Sequence, residues 1–205
     1  MIRITRDNLP YLVQLAISMI KIQIHSPICG LNAKWWGIRL GNNCRFNGLP
    51  IFRRYPKSMI HVGNFCRFNS ASNSVHGGIS RPCILWTLSS GAKISIGDGC
   101  GFSGTVISAN CEIKLGNNVR CGTNTRIMDS DMHTDDIRSG VDKPVYIEDD
   151  VWLGANTMVM KGVTVGTGTL VGAGSLVVKS LPSHVIAAGV PAKVIRSIDG
   201  NKYTQ

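Results

Sequence analysis

An aliphatic residue recurs at every sixth position through the second half of the chain, and this spacing limits the folds open to it. The series is Ile147, Leu153, Val159, Val165, Val171 and Val177. A period of six matches neither the 3.6 of an α-helix nor the 2 of an alternating strand. It predicts a chain that turns a corner every six residues, so that three sides complete one coil of a triangular prism. The aliphatic side chains would point inward.

Small or β-branched residues lie four positions after the first five of these aliphatic residues and would fill the space beside them. They are Val151, Thr157, Val163, Thr169 and Ser175. Six octets along the chain also begin with an aliphatic residue, and they carry Gly, Asn or Asp where the backbone must turn. These octets read "LGNNCRFN" from Leu40, "VGNFCRFN" from Val62, "IGDGCGFS" from Ile96, "LGNNVRCG" from Leu115, "IEDDVWLG" from Ile147 and "VGTGTLVG" from Val165. The sequence therefore predicts a three-sided β coil over most of the chain.

The octets are not evenly spaced, and the uneven spacings predict departures from the prism. One coil takes 18 or 19 residues, whereas 32 separate Leu115 from Ile147, which leaves a loop of about 14 residues. We expect this loop to leave the prism near Asp129 and to rejoin it near Pro144. A second departure is predicted over 81–91, "RPCILWTLSSG", where the apolar residues would pack on the prism.

The 129–144 loop holds a single histidine, His133, in the stretch "DSDMHTDD". A neutral imidazole can take a proton from a hydroxyl, and a neighbouring carboxylate can orient the ring. Asp131 and Asp129 are the candidates for that orienting role. The other histidines lie on different coils without ligand spacing, so no metal site is predicted. A solvated acidic loop with an incidental histidine is the alternative that composition alone leaves open.

Charge and hydropathy set the N-terminal half apart. Residues 1–100 hold 12 Lys and Arg against 2 Asp and Glu, whereas residues 101–205 hold 10 of each kind. A basic half favours anionic partners. With 6% aromatic residues and no recognised motif, nucleic acid is not expected. The apolar run Leu9–Ile24 is shorter than the roughly 20 residues of a spanning helix. It predicts a helix that packs on the domain or on a partner, or one that lies in a membrane interface.

The cysteines predict neither a disulfide scaffold nor a zinc site. Their number, seven, is odd, and no CxxC pair occurs. Cys44, Cys66 and Cys100 share one position of the repeat, which predicts small buried side chains. Together with the absence of a signal-peptide pattern, this favours a cytoplasmic protein, peripheral on the inner face of the membrane if the N-terminal helix binds there.

Over residues 37–196 the sequence resembles the hexapeptide-repeat acyltransferases, whose fold is a left-handed parallel β-helix. The unbroken hexads, the stretch "VYIEDDVWLGAN" and the closing run "VGAGSLVVKSLPSHVIAAGVPAKVIRSI" carry the resemblance. It implies an all-β domain over 37–181 with a catalytic loop at 129–144, preceded by an apolar helical segment (1–36) and followed by a tail (182–205). The pattern Asp129-Ser-Asp131-Met-His133 is similar to that of the sugar O-acetyltransferase branch, to which maltose and galactoside acetyltransferases belong. This implies that His133 is the general base.

The resemblance also implies acetyl-CoA as acyl donor, held in a groove between neighbouring subunits of a homotrimer. Carried over by position, the donor site comprises Trp152, Gly154, Ala155, Gly172, Ala173, Lys179 and Lys193. Small residues would let the pantetheine arm approach the backbone, lysines would meet its phosphates, and the N–H of Ala155 would stabilise the oxyanion.

The expected function is acetyl-CoA-dependent O-acetylation of a sugar hydroxyl in surface polysaccharide biosynthesis. Its acceptor would be a carbohydrate or a lipid-linked sugar. N-acetylation of an amino sugar and a non-catalytic β-helix scaffold are the alternatives.

Overall fold

Short parallel strands form three sheets, and one long helix precedes them. The computed structural model describes residues 5–133 and 136–198. The helix is α1, Leu9–Trp35. Sheet I contains β1 (Arg39–Leu40), β4 (Met59–Val62), β7 (Lys93–Ile96), β10 (Glu112–Leu115), β13 (Val145–Ile147) and β16 (Thr164–Val165).

Sheets II and III contain the strands that lie between those of sheet I along the chain. Sheet II contains β2 (Arg45–Asn47), β5 (Arg67–Asn69), β8 (Gly101–Ser103), β11 (Arg120–Thr123), β14 (Trp152–Leu153), β17 (Leu170–Val171), β19 (Val185–Gly189) and β20 (Ala192–Ser197). Sheet III contains β3 (Ile51–Arg53), β6 (Ile84–Thr87), β9 (Val106–Ala109), β12 (Arg126–Met128), β15 (Met158–Val159) and β18 (Leu176–Val177).

From β1 to β18, each strand pairs in parallel with the strand three places later in the chain, which makes the coil three-sided. The pairing joins equivalent residues of successive repeats, as in Ile147 with Val165 and Leu153 with Val171. The six aliphatic positions of the hexads are all buried, and so are the five small or β-branched positions beside them. The predicted period of six, the inward aliphatic side chains and the mostly parallel sheets of the prism are therefore confirmed.

The corner between sheets I and II explains the Gly, Asn and Asp residues of the octets. The fourth octet position has a positive φ of 56–71° in all six cases: Asn43, Phe65, Gly99, Asn118, Asp150 and Gly168. Only Gly, and to a lesser extent Asn and Asp, adopts this conformation at low cost. Phe65 is the exception, and its side chain is 60% exposed.

Cysteines and phenylalanines stack inside the first coils. The thiols of Cys44, Cys66 and Cys100 donate to backbone carbonyls of the next coil at 3.2–3.3 Å. Cys66 and Cys100 are buried as predicted, whereas Cys44, at the open end, is only partly buried. The ring of Phe68 lies between two others in the same sheet, with centroid distances of 5.0 and 4.9 Å. These columns fill the core of the first coils, whereas Val and Leu of the hexads fill the core of the later coils.

The two predicted departures have different outcomes. The loop between β12 and β13 leaves the prism after Met128 and rejoins it at Val145, as expected. The prediction of an excursion over 81–91 is wrong, because Ile84–Thr87 is strand β6 of sheet III. The extra residues lie just before it, between Asn69 and Ile84. The apolar residues in this stretch marked a regular strand with buried Leu85 and Thr87.

Helix α1 is longer than the apolar run Leu9–Ile24 indicated. It has 27 residues, continues through Pro27 to Trp35 and, by length and composition alone, could cross a membrane. The prediction that it is too short to span is therefore wrong. Its C-terminal half attaches to the first coil, where Nδ1 of His25 and Oγ of Ser26 accept the backbone N–H groups of Gly48 and Phe46. Only 6% of the most apolar 18-residue stretch of this helix is buried.

The chain from 182 onward extends sheet II. Strand β19 pairs in parallel with β17, and β20 turns back to pair with β19 in antiparallel register. Lys193 thus lies opposite Ala188. The limits 1–36, 37–181 and 182–205 stay predictions of domain organisation.

Candidate active site

The loop that carries His133 is anchored at its first residue by a buried carboxylate. Asp129 has no exposed surface, and its two oxygens accept the backbone N–H groups of Asn110 (2.7 Å) and Cys111 (2.8 Å) on the preceding coil. Its own carbonyl accepts the N–H of Lys143, at the far end of the loop, at 3.0 Å. Asp129 therefore fixes both ends of the loop to the corner between sheets III and I.

A second carboxylate anchors the middle of the loop. Asp131 Oδ2 accepts Nζ of Lys161 and the backbone N–H of Gly140, the latter at 3.1 Å. Lys161 Nζ also donates to the carbonyl of Gly140 at 3.0 Å. The lysine ammonium and the Gly140 N–H hold the pKa of Asp131 below its usual value. Lys161 thus connects two parts of the loop to the coil beneath it.

His133 lies at the exposed part of this anchored loop. Its side chain is exposed, and its imidazole has no hydrogen-bond partner within residues 5–133 and 136–198. Met132, immediately before it, has a φ of 67°, a conformation that a side chain of this size seldom adopts. Such backbone strain is common where a chain positions a functional group. Asp129 and Asp131 bind these other groups, and neither carboxylate forms a described hydrogen bond to the imidazole, so the role of either in orienting the ring stays a prediction.

Four of the residues predicted to bind the donor lie together at another corner, between sheets II and III. Gly154 and Ala155 follow β14, and Gly172 and Ala173 follow β17 one coil later. A Cβ added to Gly154 would lie 2.5 Å from the backbone nitrogen of Ala173, so this stacking requires glycine. The N–H of Ala155 donates no hydrogen bond to any described residue, whereas its carbonyl accepts the N–H of Gly174.

The remaining predicted residues divide between the two corners. Lys193 is exposed and lies near the small residues of the II–III corner, because it pairs with Ala188 next to Gly172. Trp152 is 50% exposed on the outer face of sheet II, two residues before Gly154. Lys179 follows β18 and lies on the III–I corner, the edge from which the His133 loop emerges.

The predicted residues thus form two groups on opposite edges of sheet III. One edge carries His133 and Lys179, and the other carries Ala155, Gly172 and Lys193, together with their neighbours. Sequence reasoning missed Lys161, which lies between β15 and β16 in the coil after the loop and resembles an ordinary exposed turn residue. It also missed the hydrogen bond from Asn110 to Asp142, which adds a further tie at the loop's end. Neither contact has a signal in the spacing, because each joins residues at least 30 positions apart.

Comparisons with known proteins agree with this architecture. A family model described as bacterial transferase hexapeptide (six repeats) matches residues 144–179. A galactoside O-acetyltransferase of Lactococcus lactis subsp. lactis is 38% identical over 120 residues, which cover 55% of this chain and 57% of that protein. A 2,3,4,5-tetrahydropyridine-2,6-dicarboxylate N-acetyltransferase of Clostridium perfringens is 52% identical over 56 residues, 27% of this chain and 24% of that protein.

The chain thus spans between about a quarter and just over half of these curated relatives. Among solved structures, AntD, an N-acyltransferase from Bacillus cereus in complex with dTDP and 3-hydroxybutyryl-CoA, has a TM-score of 0.63 and 20% identity. The match covers 83% of this chain and 88% of that one, and it concerns the fold. The resemblance to the hexapeptide-repeat acyltransferases is confirmed, and the names of the curated relatives agree with the prediction of an acetyltransferase.

Proposed function

Because this chain carries the hexapeptide repeat of the bacterial transferases, we propose that it is an acetyl-CoA-dependent O-acetyltransferase of a sugar hydroxyl. The proposal includes the left-handed sense of the coil, which the resemblance implies. The name of the galactoside O-acetyltransferase relative supports a sugar acceptor. The observation that carries the proposal is His133, an exposed imidazole without a described partner on a loop that Asp129 and Lys161 hold to the prism.

In the proposed mechanism His133 acts as general base. Its imidazole takes the proton of the acceptor hydroxyl as the hydroxyl oxygen attacks the thioester carbonyl carbon. The N–H of Ala155, which no described residue uses, donates to the oxyanion that develops. The imidazolium then returns its proton to the thiolate that leaves as the carbon–sulfur bond breaks. The acceptor gains an acetyl ester, and no covalent enzyme intermediate is required.

The residues of the II–III corner fit an extended thioester. Gly154, Ala155, Gly172 and Ala173 present no side chain larger than a methyl group, so a pantetheine arm could lie against the backbone. The exposed ammonium of Lys193 is near enough to this corner to meet a phosphate. Lys179, on the other edge, would serve a donor bound to a neighbouring subunit.

We propose that each site forms between two subunits of a homotrimer. The support is geometric, because His133 and Ala155 belong to opposite edges of sheet III within one chain. A site that needs both must combine the III–I edge of one subunit with the II–III edge of the next. Asp131 would act indirectly by positioning the loop, since its carboxylate is bound to Lys161.

N-acetylation of an amino sugar is the second candidate, and the name of the Clostridium perfringens relative favours it. An unprotonated amine is already nucleophilic, so its acetylation depends less on a base than that of a hydroxyl. Loss of His133 should therefore abolish O-transfer but only weaken N-transfer.

The acceptor we propose is a lipid-linked precursor of a surface polysaccharide, used at the cytoplasmic face of a membrane. Helix α1 exposes apolar side chains along most of its length, among them Val13, Ile17 and Ile20. The excess positive charge of residues 1–100 would attract an anionic membrane surface. Flotation with vesicles of phosphatidylglycerol and phosphatidylethanolamine tests this part. Full-length protein should float, and a variant with Ile17→Ser and Ile20→Ser should float less; equal flotation of both would exclude α1 as the contact.

A complementation experiment tests the shared site. His133→Ala removes the base, and Ala155→Pro removes the oxyanion donor without breaking a described hydrogen bond. Each variant alone should be inactive with acetyl-CoA and a panel of galactosides and nucleotide sugars. Trimers reassembled from a mixture of the two should regain part of the activity, because some interfaces join two intact halves.

The controls separate this result from misfolding and from the scaffold alternative. Each variant should keep the wild-type oligomeric mass, and His133→Ala should still bind acetyl-CoA by calorimetry. Full activity of the His133→Ala homotrimer would refute the catalytic role of the histidine. Wild-type protein that binds no acetyl-CoA would favour a non-catalytic scaffold.

A further inference from the structure

Three arginines stand in one column on the outer face of sheet II. Arg45 pairs with Arg67, Arg67 pairs with Gly101, and Gly101 pairs with Arg120. The next residue in the column is Trp152. Each arginine is exposed and alternates with buried neighbours in its strand, so the side chains project to the outside.

The column forms no ion pair within the described chain. None of the three guanidinium groups has an ion pair or a side-chain hydrogen bond to any described residue. Asp150 lines the same cleft as Arg120, and its carboxylate accepts a hydrogen bond from the side-chain amide of Asn118 at 3.1 Å. Like charges directly opposite on adjacent strands destabilise a sheet. Arg45 and Arg67 form such a pair, and a bound anion would relieve their repulsion.

Gly101 opens a gap in the column that leaves room for a diphosphate. Neighbouring strands lie about 4.8 Å apart, so the backbones at Arg67 and Arg120 are separated by roughly 10 Å. Between them lies a cleft of about 380 Å³ that is also lined by Asn69 and Ser103. A Cβ at Gly101 would meet nothing within 4 Å, so packing does not explain the glycine. Two guanidinium groups on either side of an open floor can each bind one phosphate in a bidentate manner.

An exposed aromatic ring lies beside each end of the column. Phe65 lines the cleft next to Arg45 and Arg67, and Trp152 lines the cleft next to Arg120. Phe65 occupies the corner position with φ of 57°, which Asn, Asp or Gly occupies in the other five octets. A large side chain kept in a strained, exposed conformation indicates a functional contact. Ring faces of this kind can stack against a sugar or a nucleobase.

We propose that this arginine column binds the diphosphate group of a diphosphate-linked sugar, with Arg67 and Arg120 on either side of Gly101. The identification of the sugar as acceptor rests on the proposed function, whereas the anion site does not. The donor phosphates have a separate candidate partner in Lys193, three strands beyond Trp152 in the same sheet. The donor and acceptor would thus approach the II–III edge from opposite ends of the prism.

Calorimetry with two probes tests the site, inorganic pyrophosphate for the anion and UDP-glucose for a diphosphate-linked sugar. The double variant Arg67→Gln and Arg120→Gln should weaken the binding of both probes at least 10-fold. Gly101→Glu, which places a carboxylate in the gap, should have the same effect while keeping all three arginines. Arg39→Gln is the matched control, since Arg39 is an exposed arginine at the edge of sheet I; it should change affinity less than twofold.

A variant of Phe65 tests whether its strained backbone is retained because the ring contacts the sugar nucleotide. Phe65→Asn should raise the midpoint of thermal unfolding by about 2–4 °C, because it relieves a left-handed backbone. It should at the same time weaken UDP-glucose binding while leaving pyrophosphate binding within twofold. If UDP-glucose binding were unchanged, Phe65 would have no part in the site.

The remaining outcomes would overturn the proposal. Pyrophosphate that does not bind, or that the double arginine variant still binds, excludes the anion site. Competition between pyrophosphate and acetyl-CoA, or loss of acetyl-CoA affinity in the arginine variants, would assign the column to the donor. A lower oligomeric mass of the double variant would assign it to an interface between copies. Failure of acetyl-CoA to bind the wild type, with pyrophosphate binding intact, would refute the proposed function alone.

Discussion

Replacing Asp129 with alanine tests what this carboxylate does in the loop. Its two oxygens are fully buried and accept the N–H groups of Asn110 and Cys111 at 2.7 and 2.8 Å. Each donor left without a partner costs about 1–3 kcal/mol. The substitution should therefore lower the free energy of unfolding by about 2–6 kcal/mol in urea denaturation at a fixed protein concentration.

The alternative is that Asp129 orients His133 and has little structural role. In that case Asp129→Ala would lower kcat and leave the urea midpoint nearly unchanged. Asp131→Ala is the matched control, because this carboxylate is partly exposed and its loss leaves Lys161 able to reach water. The structure predicts a much smaller loss of stability for this control. A change below about 0.5 kcal/mol for Asp129→Ala would refute the anchoring role, because a surface substitution has no larger effect.

Three further predictions concern the loop, the glycine corner and the core. The pKa of Asp131 is depressed, so its contribution to stability is present above pH 3.8 and is lost as the pH falls through the folded value. Limited proteolysis should therefore cut the loop faster at such low pH, and Lys161→Met should cause faster cutting already at pH 7. Gly154→Val should lower the thermal midpoint because its Cβ would approach a backbone nitrogen to 2.5 Å, whereas Gly101→Val should fold normally. Phe68→Ala should cost about 3–5 kcal/mol of unfolding free energy, measured in urea, because the ring lies between two others; a loss below 1 kcal/mol would argue against this stack.

The hexads predicted the prism because a strict period constrains every coil in the same way. Ile147 and its successors at intervals of six are buried as the pattern required. Where the period is interrupted, sequence reasoning was less reliable. The stretch containing Ile84–Thr87 was assigned to an excursion because its turn residues do not repeat those of the other coils. The apolar run Leu9–Ile24 understated the length of α1, because the helix continues through Pro27 to Trp35, close to the end of the segment 1–36 that was expected to be helical.

The candidate site residues could be proposed from the sequence, but their arrangement could not. The pattern around His133 indicated a loop with a candidate base, and the structure has that loop. The carboxylate roles could not be read from spacing, because the partners of Asp129 are backbone amides of the preceding coil and that of Asp131 is Lys161. The arginine column was likewise hidden, since Arg45, Arg67 and Arg120 are 22 and 53 residues apart and meet only through strand register.

Calorimetric titration of acetyl-CoA tests the central claim most directly. The account predicts wild-type binding with a dissociation constant of about 1 μM–1 mM, the usual range for enzyme substrates. Lys193→Ala should weaken it by about 10-fold, while His133→Ala should leave it unchanged. Absence of any binding up to millimolar acetyl-CoA would contradict the account of this chain as an acetyl-CoA-dependent transferase.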